Sequence, residues 1–367
     1  MNTKKISRSP PAQSVPKGNC NLDNGEIAEL LAREAEESSG HLRQAFRRAA
    51  RKAFLWEAEA GELVRSEKPL VQLEGIGPFL AGRIMDWIKE PPRPVSAPSI
   101  RAEFLTLTRA RRVLAEHPDW GAALSGILHT HSVWSDGSAT VKEMAEAAKV
   151  KRYQYLSITD HTKGLKIANG LDEDRLIQQG TEIDIANADL GKDADFKILK
   201  SAEVNFSPSG EIDMQPAALR KLDLVIGSFH SSLRRSEDQT GRYVAALANR
   251  NVHILGHPQG RIFNHREGLK ADWSRVFAEA ARLDKAIEIN GYPDRQDLKG
   301  SLLRLALKEG ARISLGTDAH HPWQLEFIDF ALAAALLAGF KKDRIVNFMS
   351  VQEILEWSHQ VSESPPR

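Results

Sequence analysis

One cysteine, Cys20, occurs in 367 residues. That excludes an internal disulfide framework and a Cys-rich zinc ribbon, and it suits a reducing, cytoplasmic setting. Charge of one sign is also missing: 50 Lys and Arg stand against 49 Asp and Glu, a formal net charge of +1. A globally cationic, histone-like nucleic-acid binder is excluded, although a local basic face is not. No apolar run is long enough to span a bilayer. The longest, Phe330 to Phe340, falls short of the roughly 18 residues required and reads as a buried helix. The first residues, Met1 to Pro16, have no apolar centre, so no signal peptide is expected there. Internal repeats are absent. So is any Gly-rich phosphate loop of the P-loop or dinucleotide type, and no nucleotide cofactor is expected. No Ser-His-Asp or Cys-His arrangement suggests a nucleophilic enzyme.

What is present divides along the chain. Residues 1–20 lack periodicity and read as a tail. Residues 21–92 read as helical, with Asn24 as the cap of a helix bearing Ile27, Leu30 and Leu31. A second helix near His41 to Trp56 carries an apolar face opposite Arg43, Arg47, Arg48, Arg51 and Lys52. Alone, that basic run reads as a solvated helix face. Residues 93–124 form a linker, introduced by the Pro91-Pro92-Arg93-Pro94 run and containing a short helix around Ile100 to Ala115. From 125 to 358 the pattern changes to strands alternating with helices. The strand candidates are Gly126–Thr130, Tyr155–Thr159, Lys197–Val204, Leu222–Phe229, Val252–Gly256, Ala286–Asn290 and Arg312–Gly316. Seven such strands predict a parallel α/β arrangement, open or closed into a barrel. Residues 359–367 read as a second tail.

The 12 histidines are not scattered. His129 and His131 end the first candidate strand, with Asp136 just beyond, and Asp160-His161 ends the second. Glu203, His230 and His257 end the third, fourth and fifth, and Asp318 with His320 the seventh. In parallel α/β folds the C-terminal strand ends form one rim, where functional sites gather. Residues two apart on extended chain face the same way, so His129 with His131, and Asp318 with His320, can each aim two side chains at one point. Six imidazoles interleaved with carboxylates would bury many unpaired polar groups unless they bind metal. Imidazole and carboxylate without thiolate suit Zn, Mn or Fe. Nine ligands exceed the needs of one ion, so two or three divalent ions are expected. Such a cluster acidifies water and clamps the oxygens of a displacement, which is hydrolytic chemistry suited to phosphoesters.

The set His129, His131, Asp136, Asp160, His161, Glu203, His230, His257, Asp318 and His320 resembles that of the PHP (polymerase and histidinol phosphatase) superfamily. The resemblance implies a distorted seven-stranded (β/α), TIM-like barrel with a trinuclear metal site. It assigns His129, His131, Glu203 and Asp318 to one ion. It assigns Glu203 as a bridge, with His230 and His257, to a second, and Asp136, His161 and His320 to a third. Ile158–His161, Gly256–Arg261, Glu288–Asn290, Pro293–Arg295 and Thr317–His320 resemble the PHP domain of bacterial family X DNA polymerases. Asp160, Arg261 and Arg295 are thereby candidates for the catalytic machinery. The two arginines could hold substrate phosphate or be structural ion pairs.

The N-terminal part resembles the same polymerases. Leu73 to Ala81 is similar to a helix-hairpin-helix signature, in which Gly75 and Gly77 permit the hairpin and a helix N-terminus faces a DNA phosphate. That gives Gly75, Gly77, Arg47, Arg51 and Arg83 expected roles in DNA binding. Two departures limit the resemblance. The palm and thumb are missing, so no polymerase activity is expected. In lyase-active members a lysine forms a Schiff base, and the matching position is Arg83, a poor nucleophile, so no lyase activity is expected either. The expectation is a metal-dependent phosphoesterase acting on DNA ends or damaged DNA, as a 3′-5′ exonuclease, 3′-phosphatase or abasic-site endonuclease. The alternative is a small-molecule phosphatase of the histidinol-phosphatase type.

Overall fold

Residues 22–93, 96–190 and 196–363 are described by a computed structural model. The expected tail over 1–20, Pro94 of the linker and the end of the C-terminal tail lie outside them. No helix among the described residues is long and apolar enough to cross a membrane.

The N-terminal helices are α1 (Asn24–Glu37), α2 (Gly40–Ala53), α3 (Ala60–Arg65) and α4 (Pro78–Lys89). Asn24 does not cap α1. The cap is Asp23, whose carboxylate accepts from Glu26 N while Glu26 accepts from Asp23 N, a reciprocal capping box. Asn24 is instead buried, donating to Ala58 O and accepting from Ala60 N, which ties the start of α1 to the start of α3. Ala28, Ala32 and Ala35 of α1 and Ala49, Ala50 and Ala53 of α2 are buried, and small residues let two helices approach closely. Between α3 and α4 the chain makes a tight turn with Gly75 at φ +81°, where a side chain would be strained, and Gly77 precedes Pro78 at the first helical position. This core takes in one residue from far along the chain, Phe263, whose ring meets Phe54 at 4.7 Å and Phe104 at 5.3 Å.

Helices α5 (Leu107–Ala115) and α6 (Pro118–Ala123) lead to the barrel. The expected helix from Ile100 is shorter at its start because Thr106 caps it, accepting from Arg109 N. Seven parallel strands follow: β1 (Gly126–Ile127), β2 (Tyr155–Ile158), β3 (Lys197–Asn205), β4 (Leu224–Ser228), β5 (Ile254–Leu255), β6 (Ala286–Asn290) and β7 (Arg312–Gly316). Each pairs with the next in sequence order. The helices between and after them are α7 (Val141–Val150), α8 (Glu173–Leu190), α9 (Pro216–Leu219), α10 (Thr240–Leu247), α11 (Trp273–Arg282), α12 (Gly300–Lys308), α13 (Ile328–Ala338) and α14 (Val351–Glu363). Helix α13 is the buried helix expected near Phe330, and Gly339 at φ +89° ends it.

The barrel closes imperfectly. β1 and β7 meet through a single bridge beyond their ends, Thr130 to Ala319. Below it the buried Asn347 side chain fills the gap, accepting from Leu315 N at 2.7 Å and donating to Leu315 O and Gly126 O. One amide thus replaces a missing stretch of ladder. Leu128, Leu199, Ile226 and Ile254 pack in one apolar cluster with Ile354 and Trp357 of α14.

Replacing Asn347 with Ala leaves three backbone groups unpaired in a buried gap. We expect a loss of about 2–4 kcal/mol of stability, read as a lower urea midpoint with an unchanged slope.

Candidate metal centre

The strand ends bring all nine expected ligand side chains to one rim. Glu203, on β3, is fully buried and lies at the centre. Its Oε1 is 2.9 Å from His257 Nε2 and 3.3 Å from His230 Nε2. Its Oε2 is 2.8 Å from His161 Nδ1 and 3.4 Å from His129 Nε2. His131 Nε2 reaches Asp318 Oδ1 at 3.2 Å, and His320 Nε2 reaches Asp136 Oδ1 at 3.3 Å. Ligand atoms lie within 4.8 Å of one another in three groups. These are His131, Asp136, His161 and His320; His129, His131 and Asp318; and His161, Glu203 and His230. His131 and His161 are each shared between two groups, a departure from the expected grouping.

The arrangement fits cations better than mutual hydrogen bonds. His129 Nε2, both nitrogens of His131, His161 Nδ1 and Glu203 Oε2 are buried without a hydrogen-bond partner. His161 Nδ1 and Glu203 Oε2 lie 2.8 Å apart yet form no hydrogen bond. Native structures rarely leave so many buried polar atoms unpaired in one place, and metal ions would satisfy them. Two of the nine sit in the left-handed backbone region, His257 at φ +22° and Asp318 at φ +52°. Such strain persists only where surroundings enforce it, and it clusters at functional sites.

Electrostatics follow from burial among these neighbours. Burial alone would raise the Glu203 carboxyl, but His161, His230 and His129 hold it well below the usual range. Burial, together with His320 and His161, pushes His131 down to about 3. Neutral imidazole is the form that ligates metal.

A supporting layer orients the ligands. Glu288, buried on β6, contacts His129 Nδ1 at 2.5 Å and accepts from His257 N at 2.6 Å. Asn205 Oδ1 is 3.0 Å from His230 Nδ1, and Asp318 O is 2.8 Å from His320 Nδ1. Each contact directs the other ring nitrogen, Nε2, inward. Gly316 makes room for Glu288, because a Cβ there would lie 1.8 Å from its Oε1. Asp297 is buried and accepts from Gln259 N and Gly260 N, shaping the loop after His257. Neither acid was assigned a role by spacing. The available signal was a charged residue in the middle of an otherwise apolar strand, Ala286–Asn290.

The other expected site residues diverge. Asp160 does not face the cluster's interior. Its carboxylate is buried and accepts from Ser132 N and Oγ, Ser135 N and Oγ, and Gln179 Nε2. Burial raises its carboxyl above the usual range against the pull of those serines. It anchors the loop that presents Asp136. Arg261 is buried at the joint with the N-terminal part, donating to Ala102 O and lying 3.8 Å from the Phe104 ring centroid. Burial lowers its guanidinium to about 10. Arg295 alone of the three reaches the ligands, with Nη1 3.4 Å from Asp318 Oδ2 and a side chain 30% exposed. Arg47 and Arg51 are exposed on α2. Arg83 turns onto α1, 2.5 Å from Glu34, so its charge is already matched.

No family model matches the chain. The DNA polymerase/3′-5′ exonuclease PolX of Bacillus subtilis (strain 168) is 38% identical over 232 residues, covering 63% of this chain but 40% of that protein. The match thus spans less than half the length of that relative. A probable phosphatase of Thermoanaerobacter sp. (strain X514) is 30% identical over 232 residues, covering 60% of this chain and 88% of that protein. Among solved structures, the histidinol phosphate phosphatase of Lactococcus lactis, complexed with Zn, L-histidinol and phosphate, aligns at 20% identity and a TM-score of 0.45. It covers 59% of this chain and 95% of that one. By its side-chain set and the relative matched over most of its length, the chain belongs to the PHP superfamily. It is a hydrolase of phosphoester bonds.

Glu288→Gln keeps the size of the side chain but weakens its hold on His129 and His257. We expect about 10–100-fold weaker zinc or manganese binding, measured by competition with a chromophoric chelator, with circular dichroism unchanged.

Proposed function

We propose that the chain is a metal-dependent phosphoesterase acting on DNA ends or damaged DNA. The observation that carries this reading is Phe263. It lies in the rim loop that begins at His257, and it is embedded in the core of the N-terminal helices. Arg101, the buried partner of Glu29 and Glu36 on α1, also bonds Asn264 of that loop. The helices carrying the Arg47, Arg48 and Arg51 face are therefore held against the metal rim. A polyanion gripped by the helices would be presented to the site.

In this reading His129, His131, Glu203 and Asp318 hold one divalent ion, Glu203 with His230 and His257 a second, and Asp136, His161 and His320 a third. Bound there, zinc, manganese or iron would supply Lewis-acid polarisation and acidify water. The chain's own residues do the rest. Glu288, Asn205 and the Asp318 carbonyl hold three imidazoles with Nε2 inward. Asp160 fixes the loop of Asp136. Arg295, partly exposed beside Asp318, is placed to bind a substrate phosphate oxygen. The turn at Gly75 and Gly77 serves as the helix-hairpin-helix contact to backbone phosphate. Polymerase activity is not proposed, because among the described residues only the short helices α5 and α6 lie between α4 and β1. Nor is lyase activity, with Arg83 paired to Glu34.

A second reading, a small-molecule phosphatase, is favoured by the relatives called probable phosphatases, which the chain matches over 88% of their length. A panel of metal-supplemented reactions separates the two. We expect cleavage of 3′-phosphorylated, recessed or abasic DNA at a higher kcat/KM than small phosphomonoesters. His129→Ala and His257→Ala should each lose at least about a hundredfold. Turnover of small esters without DNA cleavage would establish the second reading instead.

A further inference from the structure

Beside the metal rim lies a group of cationic side chains, of which the reading above uses Arg51 and Arg295 but not Arg234, His265 or Arg266. Successive loops at the C-terminal strand ends each contribute: Arg234 after β4, His265 and Arg266 after β5, and Arg295 after β6. Helix α2 brings Arg51 to the same group. Arg234 Nη2 is 2.8 Å from His265 Nε2, so the guanidinium donates to a neutral imidazole. Slight burial, then the charges of Arg234, Arg266 and Arg51, hold that imidazole below its ordinary value. Arg295 acts in turn on Arg266, and it ends the series at Asp318.

Acids nearby offset part of this charge. Asp294 acts on His265 and Arg295, and Asp297 on Arg266 and Arg295. Asp297 is buried on the backbone N–H groups of Gln259 and Gly260. Among the described residues, neither Arg51 nor Arg234 forms an ion pair, while the adjacent Arg235 is matched by Glu237. Gathering like charges from two parts of the chain is unfavourable unless a polyanion occupies the space between them.

We propose that Arg51, Arg234, His265 and Arg266 form a phosphodiester-binding track, which holds a DNA strand several phosphates from the bond being cut. This rests on the DNA reading above and adds where the strand lies. A small phosphomonoester reaches Arg295 and the metal ligands without touching the track. Guanidinium and imidazole donors along it would contact successive phosphates and carry no base information.

The test compares the zinc- or manganese-loaded wild type with Arg234→Glu and Arg234→Lys. Substrates are a single-stranded oligonucleotide of about a dozen residues and p-nitrophenyl phosphate, across a range of salt. We expect Arg234→Glu to raise the oligonucleotide KM at least about tenfold and to flatten the salt dependence of log(kcat/KM) by roughly 0.7, the value for one single-strand phosphate contact. Arg234→Lys should stay near wild type, and turnover of p-nitrophenyl phosphate should not change in either. If Arg234→Glu keeps the wild-type oligonucleotide KM and salt slope, the track is wrong while the DNA reading stands. If the wild type cleaves p-nitrophenyl phosphate but no oligonucleotide, the DNA reading falls and the track with it.

Discussion

Glu203 is a fully buried carboxylate whose two oxygens face five imidazoles. A carboxylate taken out of water carries a desolvation penalty of several kcal/mol, which is offset only by excellent partners. Here the partners arrive on four separate chain segments, after β1, β2, β4 and β5, so the penalty can be met only when those strand ends are in register with β3. The consecutive parallel pairing of β1 to β7 achieves this. The imidazoles leave the compensation incomplete, since Glu203 Oε2 and several ring nitrogens lack hydrogen bonds. Cations would complete it. The fold and the metal site therefore depend on each other: the barrel creates the dry centre, and the centre's charge requires a ligand the barrel alone does not supply.

Much of this was legible in the sequence because ligands at strand ends leave a simple trace. Strands β6 and β7 begin and end where the alternation of apolar runs and turn residues places them. His129 with His131, and Asp318 with His320, show the two-residue spacing of extended chain. The orienting role of Glu288 is not readable from spacing, because a single buried acid has no spacing partner. Its position inside an apolar strand and the resemblance of Glu288–Asn290 mark the segment without giving that role. Asn347 left no trace, since its work is to fill a gap between β1 and β7 that exists only in three dimensions. Long side chains were the least legible. Arg261 and Arg83 could swing toward a site or back onto the fold, and spacing does not record which. Both fold back, one onto Phe104 and Ala102, the other onto Glu34. For α1, the expected cap Asn24 lies one residue past the true one, although the Asp23 and Glu26 pair is itself a capping signature.

The loop after β5 connects these two levels. It starts at His257, whose backbone is held at φ +22° while its N–H meets Glu288 and its ring meets Glu203. Asp297 then gathers the next backbone N–H groups. The loop ends its excursion with Phe263 inside the helical core and Asn264 against Arg101. One short segment thus carries a metal-facing side chain at one end and the anchor of the N-terminal helices at the other.

That connection decides how the two parts can cooperate. A helical module on a free tether would raise local substrate concentration without choosing an orientation. A module docked through three aromatic rings and a buried arginine has a defined face toward the rim. In the proposed DNA reading, substrate held on that face would enter the site from one direction, which would position a chain end or a lesion at the candidate metal centre. Orientation of this kind lowers a barrier by removing the search for a reactive geometry. It also explains why charge balance over the whole chain is uninformative about partners. The net charge of +1 averages the arginines of α2 and the rim loops with acids placed elsewhere, whereas a strand of phosphates meets only the docked face.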